Sequence, residues 1–123
     1  MNLDPTSRPA PQIPALITHL ADHRVRWVLC GSYVLTLYGA AIVPNDLDVV
    51  PDLAADNLAR VADCLAMISA IPCVCGPGWG AAETVETCRA WTADPPTADN
   101  LDYLFVTELG MLDIVIKLAD PYL

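Results

Sequence analysis

Apolar residues recur at Ile13, Leu16, Ile17 and Leu20. That i, i+3, i+4, i+7 spacing predicts an amphipathic helix ending near His23. The period then changes. Val25, Trp27 and Leu29 fall on alternate positions, so Val25–Cys30 reads as a strand with those three on one face. Gly31-Ser32 interrupts it, and Tyr33–Tyr38 reads as a short helix that Ser32 can cap and Gly39 ends. Ala40–Asn45 is a connection, Leu47–Val50 a second strand closed by Pro51. Asp52 is the expected N-cap of a helix carrying Leu58, Val61, Leu65 and Ile68 on one side. The glycines and prolines of Ile71–Gly80 mark a loop, with room for a short strand at Cys73–Cys75. Ala81–Trp91 reads as a short helix and Thr92–Asn100 as a loop. The run LDYLFVTELGMLDIVIKL reads as a hairpin joined at Glu108–Gly110. Residues 1–12 are Pro-rich and polar, an irregular lead-in to one domain over 13–123. The expected fold class is α+β, a mixed β-sheet flanked by helices.

A chain of 123 residues, 54% hydrophobic, can bury a core of its own. No apolar run approaches the roughly 18–20 residues of a membrane span. The N-terminal stretch lacks the basic and apolar regions of a signal peptide. Together these lead to the expectation of a soluble, cytoplasmic protein. The formal charge is −9, with six Lys plus Arg. So few cations make unaided binding to duplex nucleic acid an unfavourable expectation, since such binding neutralises several phosphates. An acidic surface suits a basic partner or a metal-escorted substrate instead. Five cysteines, an odd number, argue against a disulfide framework, and Cys73-Val-Cys75 lacks the spacing of a zinc motif.

Against this background three features carry chemistry. Asp46 and Asp48 lie two apart at a strand start, so both side chains point to one face. Their mutual repulsion needs water or a cation to offset it. Gly31-Ser32, between strand and helix, presents backbone N–H groups that suit a phosphate. Asp113 is an acid within the apolar strand Leu112-Asp113-Ile114. Carboxylates in strands with no base nearby in sequence point to a hard divalent cation with oxygen ligands, Mg²⁺ foremost. Two such ions can clamp the attacking and leaving oxygens of a phosphoryl displacement.

The ordered set CGSYVLTLYGA, NDLDVV and TELGMLDIVI resembles the nucleotidyltransferase superfamily with the DNA polymerase β-like fold. It is most similar to small bacterial minimal-nucleotidyltransferase and abortive-infection toxin groups. The resemblance spans roughly residues 13–118. It implies that Asp46 and Asp48 bind two Mg²⁺ ions, that Asp113 joins them and helps activate an acceptor hydroxyl, and that Gly31 and Ser32 contact the triphosphate. The implied activity moves a nucleoside monophosphate from a nucleoside triphosphate to a hydroxyl of a protein, RNA or small molecule. Two departures stand out. Ile42 and Pro44 occupy positions where relatives often carry a basic and a hydroxyl residue, and the chain stops soon after the third acid, where relatives continue into a helical domain.

Other readings stay open. The same fold could serve as a non-catalytic interaction module, a partner subunit of a toxin–antitoxin or phage-defence complex, and either version could form a homo-oligomer or pack against a partner protein. Asp46 and Asp48 could be solvated at a turn, and Asp113 could lie on an exposed sheet face. His19 and His23 are i, i+4 on a helix, a metal-compatible spacing with no third ligand evident in the sequence. Lys117 could meet a phosphate or snorkel at a strand end, and Trp79 could stack on a base. Trp27 and Trp91 read as packing residues, and Asp94, Asp99 and Asp102 as solvated loop acids.

Overall fold

The computed structural model describes residues 3–75 and 84–116, so Trp79, Lys117 and the start of the Ala81–Trp91 helix lie outside the described residues. The elements run α1 (Ile13–Asp22), β1 (Trp27–Cys30), α2 (Ser32–Leu37), β2 (Leu47–Pro51), α3 (Ala55–Met67), β3 (Ile71–Pro72), α4 (Val85–Ala90), α5 (Ala98–Leu101), β4 (Leu104–Thr107) and β5 (Gly110–Ile114). The strands form one five-stranded sheet in the order β1-β2-β5-β4-β3. Its central pair, β2 and β5, is parallel; the other neighbours are antiparallel. The fold is therefore α+β, a mixed sheet flanked by helices.

Alternation decides which face is buried. Leu47 and Val49 of β2, Leu112 and Ile114 of β5 and Phe105 of β4 join Leu16 and Leu20 of α1 and Val61 and Leu65 of α3 in one core. Each such side chain contributes about 1.5–3 kcal/mol by leaving water. The residues between them, Asp48 on β2 and Asp113 on β5, must point to the other face. That face is covered at one end by a smaller cluster of Cys73, Val106 and Met111, against which Leu3, Ile71, Cys75 and Leu104 pack.

Leu3 reaches that cluster because the irregular lead-in is held along the sheet. Val74 N–H donates to the Pro5 carbonyl (2.8 Å), Met111 N–H to Pro9 (3.2 Å) and Gln12 N–H to Leu109 (2.8 Å). Gly110, at φ 92°, permits the close approach: a Cβ there would overlap the Ala10 carbonyl.

Three helices end in the same way. After α1, Arg24 N–H bonds the Ala21 carbonyl and Val25 N–H the Leu20 carbonyl; Ser69 with Ala66 and Ala70 with Leu65 repeat the pattern after α3, as do Gly39 with Thr36 and Ala40 with Leu35 after α2. These are Schellman closures, which place one residue in the left-handed region. At Arg24 that residue is exposed, makes no side-chain bond among the described residues, and sits at φ 56°. A side chain costs about 1–2 kcal/mol in this conformation. Glycine's extra freedom in the unfolded chain returns about 0.4–1 kcal/mol of that. Arg24→Gly is thus expected to stabilise the protein by about 0.5–1 kcal/mol. A urea midpoint at or below that of the parent would contradict this.

Several boundaries differ from the sequence expectation. Gly31, not Ser32, is the N-cap of α2, and Ser32 is its first residue with no side-chain cap. Gly31 makes the turn itself, at φ 77°, so the helix starts one residue sooner. Ala54 rather than Asp52 is the N-cap of α3; the Asp52 carboxylate accepts from Ala54 N–H (2.9 Å) and from Arg26 (3.2 Å). β1 begins at Trp27 because the Arg26 N–H donates to Asn57 (2.7 Å), while its carbonyl accepts from both Asn57 (2.9 Å) and the N–H of Asp52 (3.1 Å), just past β2. β3 is Ile71–Pro72 rather than Cys73–Cys75. Within the expected loop Thr92–Asn100, α5 starts at Ala98, capped by Thr97. The hairpin turn is two residues, Glu108 and Leu109, braced by the buried Thr107 hydroxyl, which accepts from Leu109 N–H (3.0 Å) and donates to the Gly110 carbonyl (2.7 Å).

Candidate functional site

Sheet register brings the three acids together. β2 and β5 run parallel with Asp48 directly beside Asp113, and Cys30 of β1 sits beside Asp48 on the opposite flank. Asp46 precedes β2 by one residue and, two positions from Asp48, shares its face. One carboxylate oxygen from each of Asp46, Asp48 and Asp113 lies within 4.8 Å of the others. All three residues are half-buried. An open cleft of about 500 Å³ adjoins Asp46, lined also by Arg8, Val43, Pro44, Asn45 and Met111 among others.

The electrostatics of the cluster follow from this crowding. Burial, followed by the Asp48 charge and hydrogen bond, pushes the Asp46 carboxyl up to about 6. Burial likewise raises Asp113, reinforced by the hydrogen bond its protonated carboxyl donates to Asp48 and by the charges of Asp48, Asp46 and Asp102. Burial, and then the charges of Asp48, Asp113 and Asp46, also raise the Cys30 thiol. No ion pair to the three acids occurs among the described residues; Arg26 and Arg60 pair with Asp52 and Asp56 instead. Three half-buried carboxylates without a basic partner form a donor set of oxygens alone. That set fits a hard divalent cation such as Mg²⁺.

Gly31 is interlocked with this cluster. A Cβ built on it would overlap Asp48 Oδ2, so the carboxylate occupies the space a side chain would need. Ser32 follows at the first position of α2, half-buried and next to the glycine. Both residues expected to contact phosphate therefore lie beside the acids. Asp102 departs from the expectation of a solvated loop acid: its carboxylate accepts from Ile116 N–H (3.3 Å) and adds negative charge near Asp113. Trp91 packs on Phe105 with ring centroids 5.0 Å apart and donates its indole N–H to Asn100 (3.0 Å). Trp27 packs against the main core. Arg8 had no signal in the sequence as a site residue. It reaches the cleft because the lead-in crosses the sheet, and its guanidinium donates to the Val74 carbonyl (2.9 Å) and to Cys73 Sγ.

Comparison with known proteins gives no match: no family model, no curated protein and no solved structure is similar to this chain. No helix among the described residues is long and apolar enough to cross a membrane.

The raised carboxyls make stability depend on pH in a defined direction. Asp46 holds its proton more tightly in the folded protein than at its ordinary value of 3.8. The stability conferred by that proton is complete below 3.8 and is lost as pH rises through about 6. Asp113 adds the same sign of change over a window that also opens above 3.8. The exposed Asp4, Asp52 and Asp56 are lowered and act only below 3.8. In chelator, the urea midpoint is therefore expected to be higher near about pH 4.5 than near about pH 7. Mg²⁺ is expected to raise the midpoint at about pH 7 and to do little at about pH 4.5. A midpoint that climbs from the lower to the higher pH in chelator would contradict this.

Proposed function

We propose that this protein is a Mg²⁺-dependent nucleotidyltransferase acting on a nucleoside triphosphate and an acceptor hydroxyl. The observation that carries the reading is the convergence of Asp46, Asp48 and Asp113 on one sheet face beside Gly31 and Ser32. Asp46 and Asp48 would hold the metal, with Asp113 completing the set. Held there by the three acids, Mg²⁺ would supply charge neutralisation for the triphosphate and the departing pyrophosphate. Gly31 and Ser32 offer backbone N–H groups to the phosphate chain, and the cleft beside Asp46 gives it room. The acceptor oxygen attacks the α-phosphorus, the bond to the β-phosphate oxygen breaks, and pyrophosphate leaves. The proton of the acceptor hydroxyl would pass to the Asp113 carboxylate, which stands beside Asp48 in the paired strands.

Calorimetry with each nucleoside triphosphate, in Mg²⁺ and in chelator, tests this directly. Binding that requires Mg²⁺ is expected for at least one nucleotide, followed by pyrophosphate release when an acceptor is present. Equal affinity with and without the metal, or no binding of any nucleotide, would overturn the reading.

A second reading has its own observation. Leu35, Leu37, Tyr38, Ile42 and Val43 are exposed on and after α2, Tyr38 at 87% and Val43 at 88%. Val43 and the neighbouring Pro44 also line the cleft. Exposed apolar residues of this kind suit association. This favours a partner subunit or second copy packed beside the cleft, as in a toxin–antitoxin or phage-defence complex, with or without catalysis. Light scattering over a range of concentrations separates a self-associating chain from a monomer.

A further inference from the structure

His19 and His23 lie one turn apart on α1 and its C-cap, with ring centroids 4.5 Å apart. The third ligand that the local sequence lacks comes from α3. A ring nitrogen of each histidine and Sγ of Cys64 all lie within 4.8 Å of one another. We propose that His19, His23 and Cys64 form a zinc site that staples α1 to α3, separate from the acidic cluster.

The side chains are prepared for this role. His23 Nδ1 lies 3.0 Å from the His19 carbonyl, and His19 Nε2 lies 3.1 Å from the Cys64 carbonyl. A carbonyl oxygen can only accept, so each of these nitrogens carries the proton and donates it. A metal would then be bound through the other nitrogen of each ring, His19 Nδ1 and His23 Nε2. Backbone carbonyls that fix the tautomer in this way are the usual outer support of metal-binding histidines. Cys64 is 1% exposed, whereas both histidines are half-buried, so the cluster is closed on the protein side and reachable from solvent. Water can complete a tetrahedral shell from that side.

Ligand chemistry selects the metal. One thiolate and two imidazoles suit Zn²⁺ and are poor ligands for Mg²⁺. The acidic cluster, all oxygen, has the opposite preference. On binding, the Cys64 S–H bond breaks, an S–Zn bond forms, and the proton passes to buffer. Because the ligands belong to two helices and the ordered pair exists only in the folded chain, binding should raise the unfolding midpoint.

Cobalt(II) is a spectroscopic probe of such a site. The full chain, stripped of metal and titrated with Co²⁺, is expected to show a sulfur-to-cobalt charge-transfer band saturating at one equivalent. Zn²⁺ should abolish the band and Mg²⁺ should not. Cys64→Ser should remove it, although four other cysteines remain. His23→Gln, at a half-buried helix end, should weaken cobalt binding by more than about 100-fold, beyond the loss typical of an outer-shell change. Zn²⁺ should raise the thermal midpoint of the parent and leave that of His23→Gln unchanged. Asp46→Asn should keep the band, showing that it does not arise at the acidic cluster. No band in the parent, or an undiminished band in Cys64→Ser, would overturn the proposal. Should Cys64→Ser fail to fold, unchanged cobalt affinity in His23→Gln overturns it on its own.

Discussion

Asp48→Asn is expected to abolish Mg²⁺-linked nucleotide binding and any transfer activity while leaving a folded and more stable metal-free protein. Asp48 stands between the other two acids, directly beside Asp113 in register and two residues from Asp46. It is also a source of the repulsion that raises both neighbours. Removing its charge deletes a metal ligand and relieves that repulsion together. The relief should amount to about 1 kcal/mol near neutral pH, discounted because the cluster is only half-buried. Asp46→Asn should behave alike. Gly31→Ala offers an independent probe, since its Cβ must displace the Asp48 carboxylate while all three charges remain. It should lose metal-linked binding without the gain in stability. Nucleotide titrations and urea midpoints for the three variants read both effects. Parent-like affinity in both acid variants would remove the acids from the site.

Asn57→Ala is expected to cost the fold about 3 kcal/mol or more. Asn57 is fully buried on α3, and its amide serves three backbone groups. Oδ1 accepts from Arg26 N–H (2.7 Å), while Nδ2 donates to the carbonyls of Arg26 (2.9 Å) and Asp52 (2.8 Å). This one side chain ties the residue entering β1 to the residue leaving β2. Truncation would remove that partner from all three groups, of which, among the described residues, the Arg26 carbonyl alone keeps a second bond, from the N–H of Asp52 (3.1 Å). Against a total of about 5–15 kcal/mol, the loss should lower the thermal midpoint by about 10 °C or more. Asp63→Ala, on an exposed position of the same helix, should shift it little. Equal midpoints for the two variants would show that the Asn57 bonds contribute nothing net.

Asn57 also makes bonds that no local pattern in the sequence specifies. Periodicity was enough for α1, α3 and the strands that build the core, because burial of Leu47, Val49, Leu112 and Ile114 follows from alternation alone. The same alternation placed Asp46 and Asp48 on one face. Pairing of Asp48 with Asp113 is different in kind, for it depends on which strands become neighbours. Nothing local in either strand specifies that. The same holds for Cys64 beside His19, and for the lead-in, whose carbonyls pair with Val74 and Met111 far along the chain. The displaced caps at Ser32 and Asp52 have another cause. Both residue types favour the position, but the backbone of Gly31 and the hydrogen bond that Ala54 N–H donates to the Asp52 carboxylate set the helix starts elsewhere.

The overlap between Gly31 and Asp48 has a consequence for how such a chain can drift over generations. A side chain at position 31 and a carboxylate at position 48 compete for one volume. A lineage that keeps the acid is confined to glycine. One that loses the acid still meets the backbone of position 31, at φ 77°, where any side chain is strained, so the glycine outlasts the carboxylate and the space for it stays open. Loss of the acid would therefore stay reversible through a single substitution at position 48, with the core intact and the gap beside it preserved by the backbone.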